Sequence, residues 1–287
     1  MNNELIQKRF EEMGARVKFG DIRAQNRGRM LNGQFIADQQ ATVSIDIARD
    51  KKGEFFQINT FGNPDVEVPI IDQKDRHLLL LHRQETVTRK HAGRKIIELS
   101  KFLCGHDETH WFVAAIPEAS RVTNINSAKQ ALKPKEVVLA ETKKNLTKDK
   151  KAAHLHKNAA RRRQGEWFFI PVDKNFKSIE ILSNEPIRRG RGKPHMCEEL
   201  VRFGGITVMV NSRFPNGITV GEYDKMVKND PAAAKWAWQR MTRDMEVFVR
   251  GRITHADHKT VILRQWHKVI PNEETKARAM RNLAFLD

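Results

Sequence analysis

Cysteine is nearly absent. Cys104 and Cys197 are the only two in 287 residues, and neither belongs to a C-x-x-C pair. That excludes a disulfide framework and a cysteine-built zinc site, and it implies a reducing compartment, so a cytoplasmic location is expected. Long apolar runs are also missing. None approaches the roughly 18–20 residues that span a bilayer, and the first twenty residues carry Glu4, Glu11 and Glu12 without the apolar core of a leader, so no membrane partner is expected. Acid is in short supply: 35 Asp and Glu face 52 Lys and Arg, a formal charge of +17. An excess of that size points to a polyanionic partner, and nucleic acid is the commonest polyanion open to a soluble protein. The motifs that would name a reaction outright are absent too, with no H-E-x-x-H, no Walker A sequence and no H-x-E followed by P-C-x-x-C.

What remains is enough for a folded protein. Apolar residues make up 39% of the chain, which supports one large or two modest cores. The most charged stretch is 133–163, where eleven Lys and Arg face three acids, close to half of the net charge. Its apolar positions keep no continuous stripe, so it reads as a solvated helix or a linker that orders on a partner. Taken as the boundary, it divides the chain into an N-terminal α+β domain (1–132), a basic helix or linker (133–163) and a C-terminal α+β domain (164–287).

Residues 4–13 have helical apolar spacing, and Gly14 ends the helix. Residues 17–33, rich in Arg, Gly and Asn, read as a basic loop. Alternation on either side of Asp50-Lys51-Lys52-Gly53 signals a hairpin. A second hairpin spans 96–116 with Gly105-His106-Asp107-Glu108 at its turn, and Ser127 is the N-cap expected for a short helix. Glu166–Val172 is an aromatic, buried strand. Asn216-Gly217 is a turn signal, and Asp230-Pro231 opens a helix expected to run to Met245 with Ala234, Trp238, Met241 and Met245 inward. Trp236 and Trp238, two apart on that helix, face different ways, one into the core and Trp236 as a candidate stacking surface for a base. A third hairpin follows across 246–270, then a basic helix from Glu273. The fold class is α+β, with antiparallel β-hairpins in both halves, flanking helices and a basic connector.

The third hairpin carries the chemistry. His255, Asp257 and His258 lie at its tip and supply the mixture of imidazole and carboxylate that Zn²⁺ or Mn²⁺ sites use; Mg²⁺ is the further candidate. Without metal, the same groups can act as general base and acid. A turn centred on Ala256-Asp257 would place His267 opposite Glu246, roughly 30 Å from the tip at about 3.3 Å per residue, so His267 reads as a half-buried core residue outside the site. His195, in the basic loop 188–195, can complete the tip cluster. His106, Asp107 and His110 form the alternative cluster. Glu166 is a candidate base behind Gly165, which permits close backbone approach. Arg161, Arg162, Arg163, Arg188, Arg189, Arg191 and Lys193 are the candidate phosphate contacts.

These residues lead to the expectation of a nucleic-acid-binding protein, acting on RNA or DNA, with a metal- or His-dependent nuclease site. The alternative is a non-catalytic RNA- or DNA-binding subunit of a larger nucleoprotein complex. An oligomer is open, since a hairpin edge can pair with a second copy.

Overall fold

A computed structural model describes residues 3–22, 28–31, 34–37, 43–61, 68–87, 95–146, 155–189 and 192–277. Among the described residues the architecture is mixed α+β with mostly antiparallel sheets and four α-helices. Two compact units divide the chain, one running up to Leu132 and the other from Lys133 to Thr275. Among the described residues, no helix is long and apolar enough to cross a membrane.

The first unit contains α1 (Asn3–Glu12), β1 (Val17–Ile22), β2 (Gly28–Leu31), β3 (Gln34–Ala37), β4 (Val43–Asp50), β5 (Gly53–Phe61), β6 (Ile70–Lys74), β7 (His77–Val87), β8 (Lys95–Asp107), β9 (His110–Ile116) and α2 (Ile125–Ala131). Strands β6 to β9 form an antiparallel meander, and β1 joins β5 and β4 as a parallel edge. Two sequence expectations are corrected here. The basic loop at 17–33 contains strands, because Val17 and Phe19 pair with Phe56 and Ile58. Ser127 is the third residue of α2; Asn124 is its N-cap, accepting from Ser127 N while Ser127 Oγ accepts from Asn124 N.

The second unit contains α3 (Lys135–Lys143), β10 (Arg162–Gln164), β11 (Trp167–Pro171), β12 (Leu182–Ile187), β13 (His195–Phe203), β14 (Ile206–Asn211), β15 (Phe214–Thr219), α4 (Val220–Asn229), β16 (Gln239–Arg243), β17 (Glu246–Thr254) and β18 (Val261–Pro271). Its main sheet is antiparallel in the order β10-β11-β18-β17-β13-β12. One face buries Trp167, Phe169, Leu200, Val249 and Leu263, and a smaller cluster gathers Val201, Phe248 and Trp266. The sheet is rolled. Gln164 on β10 donates to Ile253 O on β17, which is not its neighbour in the sheet order, and Arg189 beyond β12 donates to Asn272 beyond β18.

The helix expected from Asp230 to Met245 does not form. Asp230 does cap, accepting from Ala232 N, but what it heads is a single 3-10 turn, Pro231–Lys235, and the chain then extends into β16. The α-helix lies just upstream, in α4, behind the capping box of Thr219 and Glu222. Ala233, rather than Ala234, is the buried alanine. Asn216 and Gly217 sit inside β15 instead of at a turn.

Part of the supposed connector is built into this second unit. Lys133 Nζ donates to Glu141 Oε2 at 2.8 Å and Arg161 Nε to Glu141 Oε1 at 2.9 Å, with Asn158 Nδ2 adding a third bond, and all three charged side chains are buried. A buried carboxylate holding two cations is costly to break from one side. Glu141→Ala should therefore destabilise this unit by about 3–5 kcal/mol, read as a lower urea midpoint. A midpoint unchanged within error would show that the clasp contributes nothing.

Candidate metal centre

Three segments meet at one end of the rolled sheet: the β10–β11 turn (Gly165-Glu166), the first residue of β13 (His195) and the β17–β18 loop (255–260). They bring His195, His255 and His258 together, with one potential ligand atom from each inside a 4.8 Å spread. Among the described residues, this is the only group of three or more His, Cys, Asp or Glu side chains with that convergence. His195 is 1% exposed, while His255 and His258 are half-buried, so the cluster opens to solvent on the loop side. The rings lie nearly parallel, His195 to His255 at 4.1 Å and 22° and His255 to His258 at 4.7 Å and 28° between centroids.

Gln164 ties the three segments. Its Nε2 donates to Ile253 O at 3.1 Å and to Lys259 O at 2.7 Å, bracketing the loop that carries His255 and His258. That orients the amide so that Oε1 faces His195 Nδ1 at 3.0 Å. An oxygen there requires a proton on Nδ1, so in the Nδ1–H tautomer the Nε2 lone pair of His195 is left for the site. Glu166 Oε2 lies 3.6 Å from that Nε2. In the Nδ1–H tautomer both atoms are acceptors and a cation or donor would sit between them, whereas a protonated His195 donates to Glu166 directly. Burial raises the Glu166 carboxyl, but the hydrogen bond and charge of His195, with Arg189 behind, outweigh it and bring it down to about 2. Burial, followed by the His195 and His258 charges, pushes the His255 imidazole down to about 4, so it is neutral at pH 7, and it would ligate once its Nδ1 gives up the bond from Asp257 N.

Gly165 is a glycine for two reasons. Its φ of +57° is left-handed, and a Cβ there would lie 2.7 Å from His258 Nε2 and 3.4 Å from His195 Cε1. Gly165→Ala should cost about 1–2 kcal/mol from the backbone alone and displace His258. Metal titration should then show weakened binding alongside the lower melting point, whereas wild-type affinity would mean that His258 is not a ligand.

The other sequence candidates are placed differently. Asp257 accepts two bonds from Lys193 Nζ, at 2.8 and 2.7 Å, so its carboxylate tethers the 188–195 loop to the hairpin tip; its backbone N–H donates to His255 Nδ1 at 3.1 Å. Arg161 is held by Glu141, and Arg162 Nη1 donates to Asn158 O. Arg163 Nε donates to Gly165 O, shaping the turn under the site. Arg189 is nearly buried between Asn272 and Glu274. Arg188 is exposed, and Arg191 lies outside the described residues. Arg161, Arg162, Arg163, Arg189 and Lys193 are therefore each engaged with protein acceptors, and of these Arg163 and Lys193 hold the segments that carry the histidines.

The alternative cluster does not assemble. His106 and Asp107 belong to β8, since the turn is Glu108-Thr109; His110 Nδ1 contacts Glu54 Oε1 at 2.7 Å, and His106 packs edge-on against Trp111. Cys104 and Cys197 are buried, and burial pushes both thiols up, Cys197 to about 12, so neither is a ready ligand or nucleophile. His267 lies on β18 outside the site. It pairs with Val249 rather than Glu246, because the bulge between Val249 and Gly251 shifts the register, and its Nδ1 contacts Gln265 O at 2.7 Å.

No protein-family model, curated protein or solved structure matches this chain. The functional reading therefore rests on the site itself. Sequence reasoning missed Gln164. Its one signal was a polar residue beside a glycine at the entrance to an aromatic strand.

Proposed function

We propose that the protein is a divalent-metal-dependent phosphodiester hydrolase acting on nucleic acid, with the metal held by His195, His255 and His258. The observation that carries this reading is the convergence of one ring nitrogen from each of the three histidines within 4.8 Å, with Gln164 Oε1 on His195 Nδ1 and Glu166 beside His195 Nε2. Three protein ligands with an open fourth position are the pattern of a catalytic zinc site, in which bound water becomes nucleophilic near neutral pH. A metal held there would supply that water and a Lewis acid at phosphorus; Glu166, beside His195, would accept the water's proton as the P–O bond to the leaving ester oxygen breaks, and solvent would protonate that oxygen. The formal +17 supports a polyanionic substrate, drawn in by long-range attraction.

The test is cleavage of single-stranded RNA, single-stranded DNA and duplex by metal-stripped protein, with and without added Zn²⁺, Mn²⁺ or Mg²⁺. Cleavage should require metal and disappear in Glu166→Gln, which should still bind metal. A wild-type protein that carries one metal and cleaves none of these substrates would refute the reading.

Two observations favour the non-catalytic alternative, a nucleic-acid-binding subunit. The three imidazoles are close to parallel, so their in-plane lone pairs converge only after the rings rotate, and His255 Nδ1 already accepts from Asp257 N. In that reading the trio is a packing stack. Salt-dependent binding without metal uptake would select it.

A further inference from the structure

Residues 204–245 leave the main sheet between β13 and β17 and fold on their own as β14, β15, α4 and β16, with strand order β15-β14-β16. Only Val208 and Ala233 are buried within this segment, and α4 buries none of its residues. Its aromatic side chains, Phe214, Tyr223, Trp236 and Trp238, are half-buried and form one contiguous patch. The Arg213 guanidinium rests 3.9 Å over the Trp236 ring, Trp236 stacks on Trp238 at 6.0 Å and 22°, Trp238 stacks on Phe214 at 5.6 Å and 15°, and Tyr223 meets Trp238 edge-on at 5.2 Å. Trp238 is locked by a hydrogen bond from Nε1 to Ala233 O at 2.8 Å. A tight turn closed by Trp238 N donating to Trp236 O at 2.7 Å brings the two tryptophans face to face, where a helix would have turned them apart.

From this patch we infer that residues 204–245 form a stacking platform for the bases of single-stranded nucleic acid. A row of partly exposed rings, one already carrying a guanidinium plane, suits unpaired bases, which stack on aromatic and arginine faces alike. Charge favours the same occupant. Arg213, over Trp236, is exposed, as are Lys235 and Arg240 of the same segment, while three of the segment's four acids are committed, Glu222 and Asp230 as caps and Asp244 to Arg243. A duplex keeps its base faces stacked internally and offers the patch nothing to stack.

The inference rests on the proposed nucleic-acid substrate but not on the metal chemistry. His195 and Phe203 stand at opposite ends of β13, roughly 25 Å apart at about 3.3 Å per residue. A strand bound at both places must be several nucleotides long. The platform therefore anchors long substrates and leaves the cleavage of short ones untouched.

The test uses the full-length, metal-stripped protein, so that loss of catalysis and loss of the platform are read separately. Tryptophan fluorescence is titrated with single-stranded DNA, single-stranded RNA and duplex oligonucleotides several times longer than that span, at stated ionic strength. Wild type should show quenching with either single strand, and weaker quenching with duplex. Trp236→Ala should bind single strands roughly 10- to 100-fold more weakly, and Trp236→Phe should recover most of the affinity. Arg213→Gln should lower the salt slope by about one. With metal restored, Trp236→Ala should raise KM for long strands and leave dinucleotide cleavage unchanged. If Trp236→Ala binds single strands like wild type, or if wild type prefers duplex, the platform is refuted. Sedimentation showing a dimer that buries Trp236 would refute it as well, by assigning the patch to a second copy.

Discussion

Replacing His255 by alanine is expected to abolish stoichiometric metal binding and to slow phosphodiester cleavage by roughly a thousandfold or more, the several kcal/mol that a Lewis acid contributes at phosphorus. Nucleic-acid binding, with its steep dependence on salt, should stay at wild-type strength, because His255 adds no charge at pH 7: burial, then the neighbouring histidines, hold its imidazole neutral down to about 4. His255 is a better probe than His195, which is fully enclosed and whose removal would open a hole beside Trp167. Metal content by elemental analysis, cleavage rate and binding isotherms are measured on the same preparation. If binding and cleavage fall together with the melting temperature, His255 has a folding role and the metal assignment fails.

Gln164→Leu is expected to weaken metal binding by about 10- to 100-fold, the usual consequence of removing a partner that orients a ligating histidine. The substitution keeps the side-chain bulk but deletes the acceptor that places the His195 proton on Nδ1 and both donors that hold the 255–260 loop. It should also cost about 1–3 kcal/mol of stability, since Ile253 O loses a buried donor. Titration well below the melting temperature separates the two effects. Gln164→Glu, which keeps an oxygen toward His195 but not the amide donors, should fall between Gln164→Leu and wild type. Equal affinity in all three proteins would mean that the His195 tautomer is set by some other group.

Much of the site was legible in the residues, yet its assembly was not. His255 and His258 advertise themselves by their spacing at a hairpin tip, and His195 by its place in a basic loop. Their meeting depends on the rolling of the sheet, which brings Gln164 to Ile253 across 89 residues of sequence, and no local pattern encodes that. The arginines misled for a related reason. Arg161 and Arg189 look solvated when read against their neighbours, but their carboxylates, Glu141 and Glu274, come 20 residues before and 85 residues after them. Burial of a charge is a property of tertiary pairing, so a local count of like charges overstates what is open to phosphate.

Fold errors had local causes as well. The Asp230-Pro231 signal is a real cap, but capping chemistry starts a turn without setting its length, and the Ala-rich segment behind it stops at Trp236. The longer helix had a readable signature in the spacing of Thr219 and Glu222, a capping box ahead of Tyr223, Met226 and Val227. Helical periodicity then put Trp236 and Trp238 on opposite sides, and the tight turn between them reversed that. In the last hairpin, Arg264, Gln265 and Trp266 of β18 face the single Arg250 of β17, so pairing counted from the tip alone drifts before it reaches His267.

The most direct test of the metal centre is a cobalt(II) titration of the metal-stripped protein followed by visible absorption. The account predicts one equivalent bound, with the intense bands of a four-coordinate ion, displaced by zinc and absent in His255→Ala. Uptake of no cobalt by wild type, or the same spectrum in His255→Ala, would contradict it and leave the three histidines as a packed stack.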